Sequence, residues 1–213
     1  VAAASVLFTG LHLAVHAQVF VNNTPINIPA ADTSGPADVF PSSINVSGLG
    51  TSLTGITLDL FGYSHEFSPD VQILVESPQG TRVLLMGLGS GGLPQPSINL
   101  TFDDAASGFL PMEQPITSGS YKPTLHNPTP SAFEAPGPTD TGSWTTTLSS
   151  FHGENPNGVW KLWAEDFATQ DVGSISGGWG VNMTAVPEPH EYAMMAAVGL
   201  GVFAVVRRRR ASR

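Results

Sequence analysis

Five aspartates carry the first chemistry this chain suggests. Asp70, Asp103, Asp104, Asp166 and Asp171 fall where runs of alternating apolar residues begin or end. Carboxylates at strand ends suit a hard cation, and calcium takes roughly six to eight oxygen ligands at ~2.3–2.6 Å. No continuous EF-hand-like loop is present, so ligands would have to converge from separate loops. The competing assignment is solvated loop acids or turn caps, in which a short carboxylate accepts nearby backbone N–H groups. The chain has no cysteine, which excludes a thiol nucleophile, a thiolate metal site and a disulfide frame. Ser64-His65, His126 and His152 offer parts of a Ser–His–Asp arrangement, but no nucleophile signature surrounds them, and no catalysis is expected. Residues 87–92 (GLGSGG) match a dinucleotide fingerprint, yet Leu93-Pro94-Gln95-Pro96 follows where that motif needs a helix. These glycines make a turn.

The elements that must position the aspartates are strands. Ile56, Leu58 and Leu60 alternate with polar or surface positions, as do Val71, Ile73 and Val75, and Ile98, Leu100 and Phe102. Trp160, Leu162 and Ala164 repeat the pattern, and Ile175, Trp179, Val181 and Met183 share another face. Period two predicts strands with one face buried. Trp160 and Trp179 are expected as core anchors, with an exposed aromatic platform as the alternative. Gly177 and Gly178 predict a bulge or a close approach of sheet to sheet. Residues 103–141 contain seven prolines and read as a long surface excursion between strands. With 23 glycines, 18 prolines and 12% charged residues in 213, the composition fits one loop-rich all-β domain, a two-sheet sandwich.

Net charge separates the middle of the chain from its ends. The formal charge is −9, but five arginines crowd the last seven residues. Residues 18–185 hold only Arg82, Lys122 and Lys161 against fifteen acidic side chains, a balance of −12 that repels nucleic acid. Residues 1–15 (VAAASVLFTGLHLAV) form an apolar h-region, and Val15-His16-Ala17 places small residues before a cleavage point between Ala17 and Gln18. A secretory signal peptide over 1–17, truncated at its start, is expected; a buried helix of the mature fold is the alternative. Residues 186–213 run from Pro187-Glu188-Pro189 through an uncharged apolar stretch, 192–206, to Arg207, Arg208, Arg209 and Arg210. Fifteen residues make a helix of ~22 Å, short for a ~30 Å hydrocarbon core, and the arginines mark its cytoplasmic side.

This tail resembles the PEP-CTERM sorting signal of Gram-negative bacteria. The resemblance implies a transmembrane helix over 192–206, transient anchoring in the inner membrane, removal of the tail by an exosortase-type enzyme, and release to the surface or extracellular matrix of an exopolysaccharide-producing cell. An ordinary tail anchor is the alternative. The ordered blocks HEFSPD (65–70), VQILVESPQGTRVLL (71–85), FDDAA (102–106), GSYKP (119–123), LSSFHG (148–153), GVWKL (158–162) and DVGSISGGW (171–179) resemble the P domain, or Homo B domain, of proprotein convertases across about 36–185. That resemblance implies a jelly-roll-like β-sandwich of about eight strands within 18–185, without catalytic residues of its own. It also implies calcium at the five aspartates, foremost Asp70, Asp103 and Asp166. Two roles follow as expectations. One is an exported structural or interaction module that contacts exopolysaccharide or a surface protein. The other is a non-catalytic accessory to a subtilisin-like or kexin-like serine endopeptidase.

Overall fold

The fold is seen in a computed structural model that describes residues 17–29, 34–92, 94–112 and 114–186. Twelve strands run in order: β1 (Gln18–Asn22), β2 (Ile26–Ile28), β3 (Gly35–Pro36), β4 (Ser42–Val46), β5 (Ser52–His65), β6 (Val71–Glu76), β7 (Arg82–Met86), β8 (Gln95–Phe102), β9 (Gly119–Tyr121), β10 (Gly158–Asp166), β11 (Gly173–Ile175) and β12 (Trp179–Val186). Seven form one sheet in the order β1-β12-β5-β11-β2, with β8 also on β5 and β9 on β8. The other five form the second sheet, β3-β10-β6-β7, with β4 also on β10. The expected sandwich is present, with twelve strands among the described residues rather than about eight, because short strands such as β3 and β9 have no periodicity to read. Residues 1–16 and 187–213, on which the expected signal peptide and the expected transmembrane helix over 192–206 fall, lie outside the described residues. No helix among the described residues is long and apolar enough to cross a membrane.

β5 organises the larger sheet. Its first half pairs β12, and after a bend its last three residues pair β11. Gly62 makes the bend at φ +67°, and Asn99 Oδ1 accepts its N–H at 2.8 Å. The inward faces match the alternation: Leu58, Leu60, Tyr63, Trp179, Val181 and Met183 of one sheet meet Ile44, Ile73, Val75, Trp160 and Leu162 of the other. Both indoles satisfy their N–H inside this core, Trp160 on Pro156 O at 2.8 Å and Trp179 on Ser42 Oγ at 3.0 Å. They are core anchors.

The second sheet departs from a one-faced pattern. Every residue of β6 is buried. Leu74, Leu84 and Trp163, on the outward face, join Phe133 in a second apolar cluster flanked by Phe40, Leu125, Trp144 and Phe167. The proline-rich stretch 103–141 is therefore not a free surface excursion. It contributes β9 and then lays Phe133 over the sheet, where burying its ring offsets the cost of ordering the loop. Gln72 fastens this loop by giving Nε2–H to Ser131 O at 2.7 Å and accepting Ser131 N–H at 3.2 Å.

Candidate functional site

Three of the five predicted aspartates meet at one end of the sandwich. β5 ends at His65, β6 begins just after Asp70, and β10 ends at Asp166, which pairs with Val71. The 167–172 loop then carries Asp171 to β11, where Gly173 pairs with His65. A Cβ on Gly173 would lie 2.3 Å from the His65 ring and 2.2 Å from Ser64 O, so only glycine lets this approach occur. His65 accepts the Phe67 N–H on Nδ1 at 3.2 Å, which leaves the neutral ring's proton on Nε2. That nitrogen lies 3.5 Å from Asp166 Oδ2, with both side chains fully buried, and neither atom has a hydrogen-bond partner. Asp166 Oδ1 accepts the Ala168 N–H at 3.0 Å. Beneath them Tyr63 donates to Ser68 Oγ at 2.9 Å, and burial holds its phenol firmly protonated.

The cluster is electrostatically unfinished. Burial, then the neighbouring Asp166 and Asp171 carboxylates, raise Asp70 above its ordinary value, with His65 opposing them. Asp166 is raised by burial first and by Asp171 after it, while the Ala168 N–H and His65 pull it down. Like charges brought together out of water are stabilised by a proton or by a cation. The ligand atoms are oxygens, which suits a hard cation, and the buried Asp166 Oδ2 has no hydrogen bond beyond its 3.5 Å contact with His65 Nε2. As they stand, no three His, Asp or Glu side chains among the described residues are close enough to hold one ion together.

Asp103 and Asp104 do not join this group. Asp104 accepts the N–H groups of Leu148 and Ser149 at 2.9 and 2.8 Å, so it caps the short 3-10 turn Leu148–Phe151 from forty-four residues away. Asp103 accepts the N–H of Ala105 at 2.8 Å within its own turn. Both cap turns, apart from Asp70, Asp166 and Asp171. Asp104→Ala is expected to lower stability by about 1–2 kcal/mol, as loss of a capping carboxylate does elsewhere, measurable by urea denaturation. His65 is the member missed from the sequence. Its signal was present: Tyr63 and His65 continue the buried alternation of β5 beyond the Gly62 bend.

The sequence-predicted sorting residues Pro187, Glu188, Pro189 and Arg207–Arg210 lie outside the described residues. Gln18, at the expected cleavage point, begins β1 and pairs with Met183 of β12.

A further titrating group sits on the outward face of the second sheet. Glu165 is buried and accepts the Glu134 N–H at 2.8 Å. Burial pushes its carboxyl from 4.5 up to about 7, with the Glu134 charge adding and the N–H bond opposing. A raised carboxyl means the fold holds the proton more tightly than the unfolded chain does. Its stabilising effect is complete below pH ~4.5 and is lost as pH rises through ~7, a change of up to about 3 kcal/mol. Glu165→Gln keeps an acceptor for Glu134 and is expected to melt higher than the parent at pH 8 and close to it at pH 5.

With the sandwich and its acidic end described, similarity places part of the chain. The family model of the proprotein convertase P-domain matches residues 121–183. That span covers the end of β9 and all of β10 and β11 and most of β12, including Trp160, Asp166, Asp171 and Trp179. It is narrower than the 36–185 resemblance drawn from sequence blocks. No curated protein matches the chain. Among solved structures, the serine protease of Aeromonas sobria aligns over 83% of this chain at 13% identity with a TM-score of 0.35. The same protease in complex with its chaperone aligns over 83% at 15% identity, also with a TM-score of 0.35. This chain spans 28% of the length of either.

Proposed function

We propose that this chain is a non-catalytic P-domain-type module of a serine endopeptidase system, which docks on and stabilises a subtilisin-like catalytic partner. The observation that carries the reading is the P-domain match over residues 121–183. The local chemistry supports a non-catalytic role: His65 is buried against Asp166 and takes a backbone N–H, while His126 Nε2 is held by Leu110 O at 2.8 Å. Immobilised full chain is expected to retain a subtilisin-like endopeptidase from the producing cell's extracellular material and to raise that protease's melting temperature. Retention of no endopeptidase, or retention without stabilisation, contradicts the reading.

Calcium belongs to the same proposal. Asp70, Asp166 and Asp171 would hold it, with backbone carbonyls and water completing the shell, and the ion would neutralise carboxylates that now repel one another. Millimolar calcium is expected to raise the melting temperature, and chelator to reverse it. Asp70→Asn is expected to melt higher than the parent without calcium, because it removes a carboxylate raised by burial and by Asp166 and Asp171, and to lose the calcium response. A parent that melts identically with calcium and with chelator removes the ion from the account.

The two ends of the chain support an export route for this module. The h-region before Gln18 and the Pro187-Glu188-Pro189, apolar and arginine order after β12 favour secretion, transient anchoring by 192–206, and exosortase-type release to the cell surface or matrix. There the module would meet its protease, or exopolysaccharide and surface proteins. Surface-extracted protein is then expected to begin at Gln18 and to lack Arg207–Arg210 by intact mass; material ending at Arg213 contradicts this route.

A further inference from the structure

Residues 131–143 arch over the outward face of the second sheet and are fastened along their length. Gln72 clamps Ser131, Glu165 holds the Glu134 N–H, Phe133 is buried among aromatic rings, and Arg82 pairs with Asp140. Between arch and sheet lies a pocket of about 510 Å³. Its floor is made by Glu76, Arg82, Lys161 and Trp163, and Thr139 and Asp140 stand on the arch side. Pro41, Pro136 and Pro138 supply apolar walls. Pockets of ~300–1,000 Å³ with few, fixed polar groups are the usual form of small-molecule sites.

The charge in this pocket is unusual for the chain. Residues 17–186 contain three basic side chains against fifteen acidic ones, and two of the three, Arg82 and Lys161, meet here. They are not simply cancelled. Glu76 accepts Lys161 Nζ on Oε1 and Arg82 Nε on Oε2, both at 2.8 Å, and these two cations hold its carboxyl below the usual range against its own burial. Asp140 is taken by Arg82 Nη1 and by Ser143 Oγ. Both carboxylates are therefore engaged, while the ammonium and guanidinium keep unused N–H groups, since they own three and five donors respectively. The pocket holds spare donors and few spare acceptors. A ligand must bring the acceptors, and a carboxylate does so best at paired Arg and Lys.

The edge of the sheet decides what bears that carboxylate. β7 is the edge strand, and an extended peptide would bind by adding to it. Its edge is already covered by the chain itself: Leu84 N–H donates to Thr145 O, Thr145 N–H to Arg82 O, and Thr124 N–H to Leu85 O. A compact ring with hydroxyls for Thr139 and C–H faces for the proline walls fits what remains. We infer that this pocket binds a uronic acid, a sugar ring carrying a carboxylate that sits on Lys161 and Arg82. The inference is independent of the protease-docking reading and of the calcium site.

Titration calorimetry of the full chain with glucuronate, glucose, acetate and a short peptide with a free C-terminus tests it. Glucuronate is expected to bind at least tenfold more tightly than the other three, and less tightly as salt is raised. Lys161→Gln is expected to weaken glucuronate tenfold or more, and Lys161→Arg to restore most of the affinity. Thr139→Trp fills the pocket from the exposed arch while leaving Glu76, Arg82 and Lys161 in the sequence, and is expected to abolish binding with the fold retained. It keeps the test decisive should Lys161→Gln fail to fold. No glucuronate binding at millimolar concentration overturns the inference, as does equal binding of glucose, acetate or the peptide, or affinity unchanged in Thr139→Trp.

Discussion

Trp179→Ala is expected to remove about 3–5 kcal/mol of folding stability, the cost of deleting a large buried aromatic side chain. Such a loss is a large share of the roughly 5–15 kcal/mol that holds a domain together. Trp179 is fully buried in β12 of the larger sheet, and its indole N–H crosses the interior to Ser42 Oγ on β4 of the smaller one. Truncation therefore empties the space between the sheets and cuts a polar tie between them. Trp179→Phe separates the two effects. It keeps most of the ring and loses the hydrogen bond, so the smaller part of the loss, about 1–2 kcal/mol, is expected there. Urea denaturation of both variants measures the difference, and equal losses would show that the tie matters and the volume does not.

Gly178→Ala is expected to be nearly as damaging, for a reason that lies in the backbone. Gly178 has φ +73°, and a Cβ there would stand 1.9 Å from Asn22 O and 2.9 Å from Asn23 Cα. Those are main-chain atoms, so relief requires β1 to pull away from β12. The five residue pairs between Gln18–Asn22 and Trp179–Met183 would be lost, along with the Asn22 side-chain bonds to Ser42 and Ser43. A loss of about 3 kcal/mol or more follows from strain plus lost pairing. Hydrogen exchange should show the amides of residues 18–22 opening first. Gly142→Ala serves as control, because nothing lies within 4 Å of a Cβ at that position; a comparable loss there would remove the steric explanation.

How much of this was legible beforehand depended on range. Ile56, Leu58 and Leu60, and the set Ile175, Trp179, Val181 and Met183, announced the inner faces because period two is a local signal and one face of each strand meets the core. The glycines before Trp179 announced a close approach, but it lies within one sheet, against Asn22 of the neighbouring β1, and not between the two sheets. The outward face of the second sheet was not readable. Leu74, Trp163, Phe40, Phe133 and Phe167 are scattered over the chain, and only folding of residues 131–143 onto the sheet makes them one cluster. Prolines in that stretch suggested exposure, yet Pro fixes φ without saying what lies beneath the loop.

The aspartates show the same limit at a single carboxylate. Asp70, Asp103 and Asp166 stand at strand ends and Asp104 and Asp171 one residue further into loops, but position does not reveal which donors stand opposite. Asp104 faces the free N–H groups of Leu148 and Ser149, so it is a cap. Asp166 and Asp171 raise Asp70, and Asp171 raises Asp166, so these three acids lie at one end of the sandwich. His65 enters that cluster because the bend at Gly62 keeps Tyr63 and His65 on the buried side.

The proposal most open to test is that this chain serves a serine endopeptidase as a non-catalytic module. A fluorophosphonate active-site label applied to the full chain and its captured partner from the producing cell's extracellular material tests it directly. The account predicts a labelled subtilisin-like protease held in stoichiometric complex, with the 22.3 kDa chain itself unlabelled. A label on the chain itself, or a complex that contains no labelled serine endopeptidase, would contradict it.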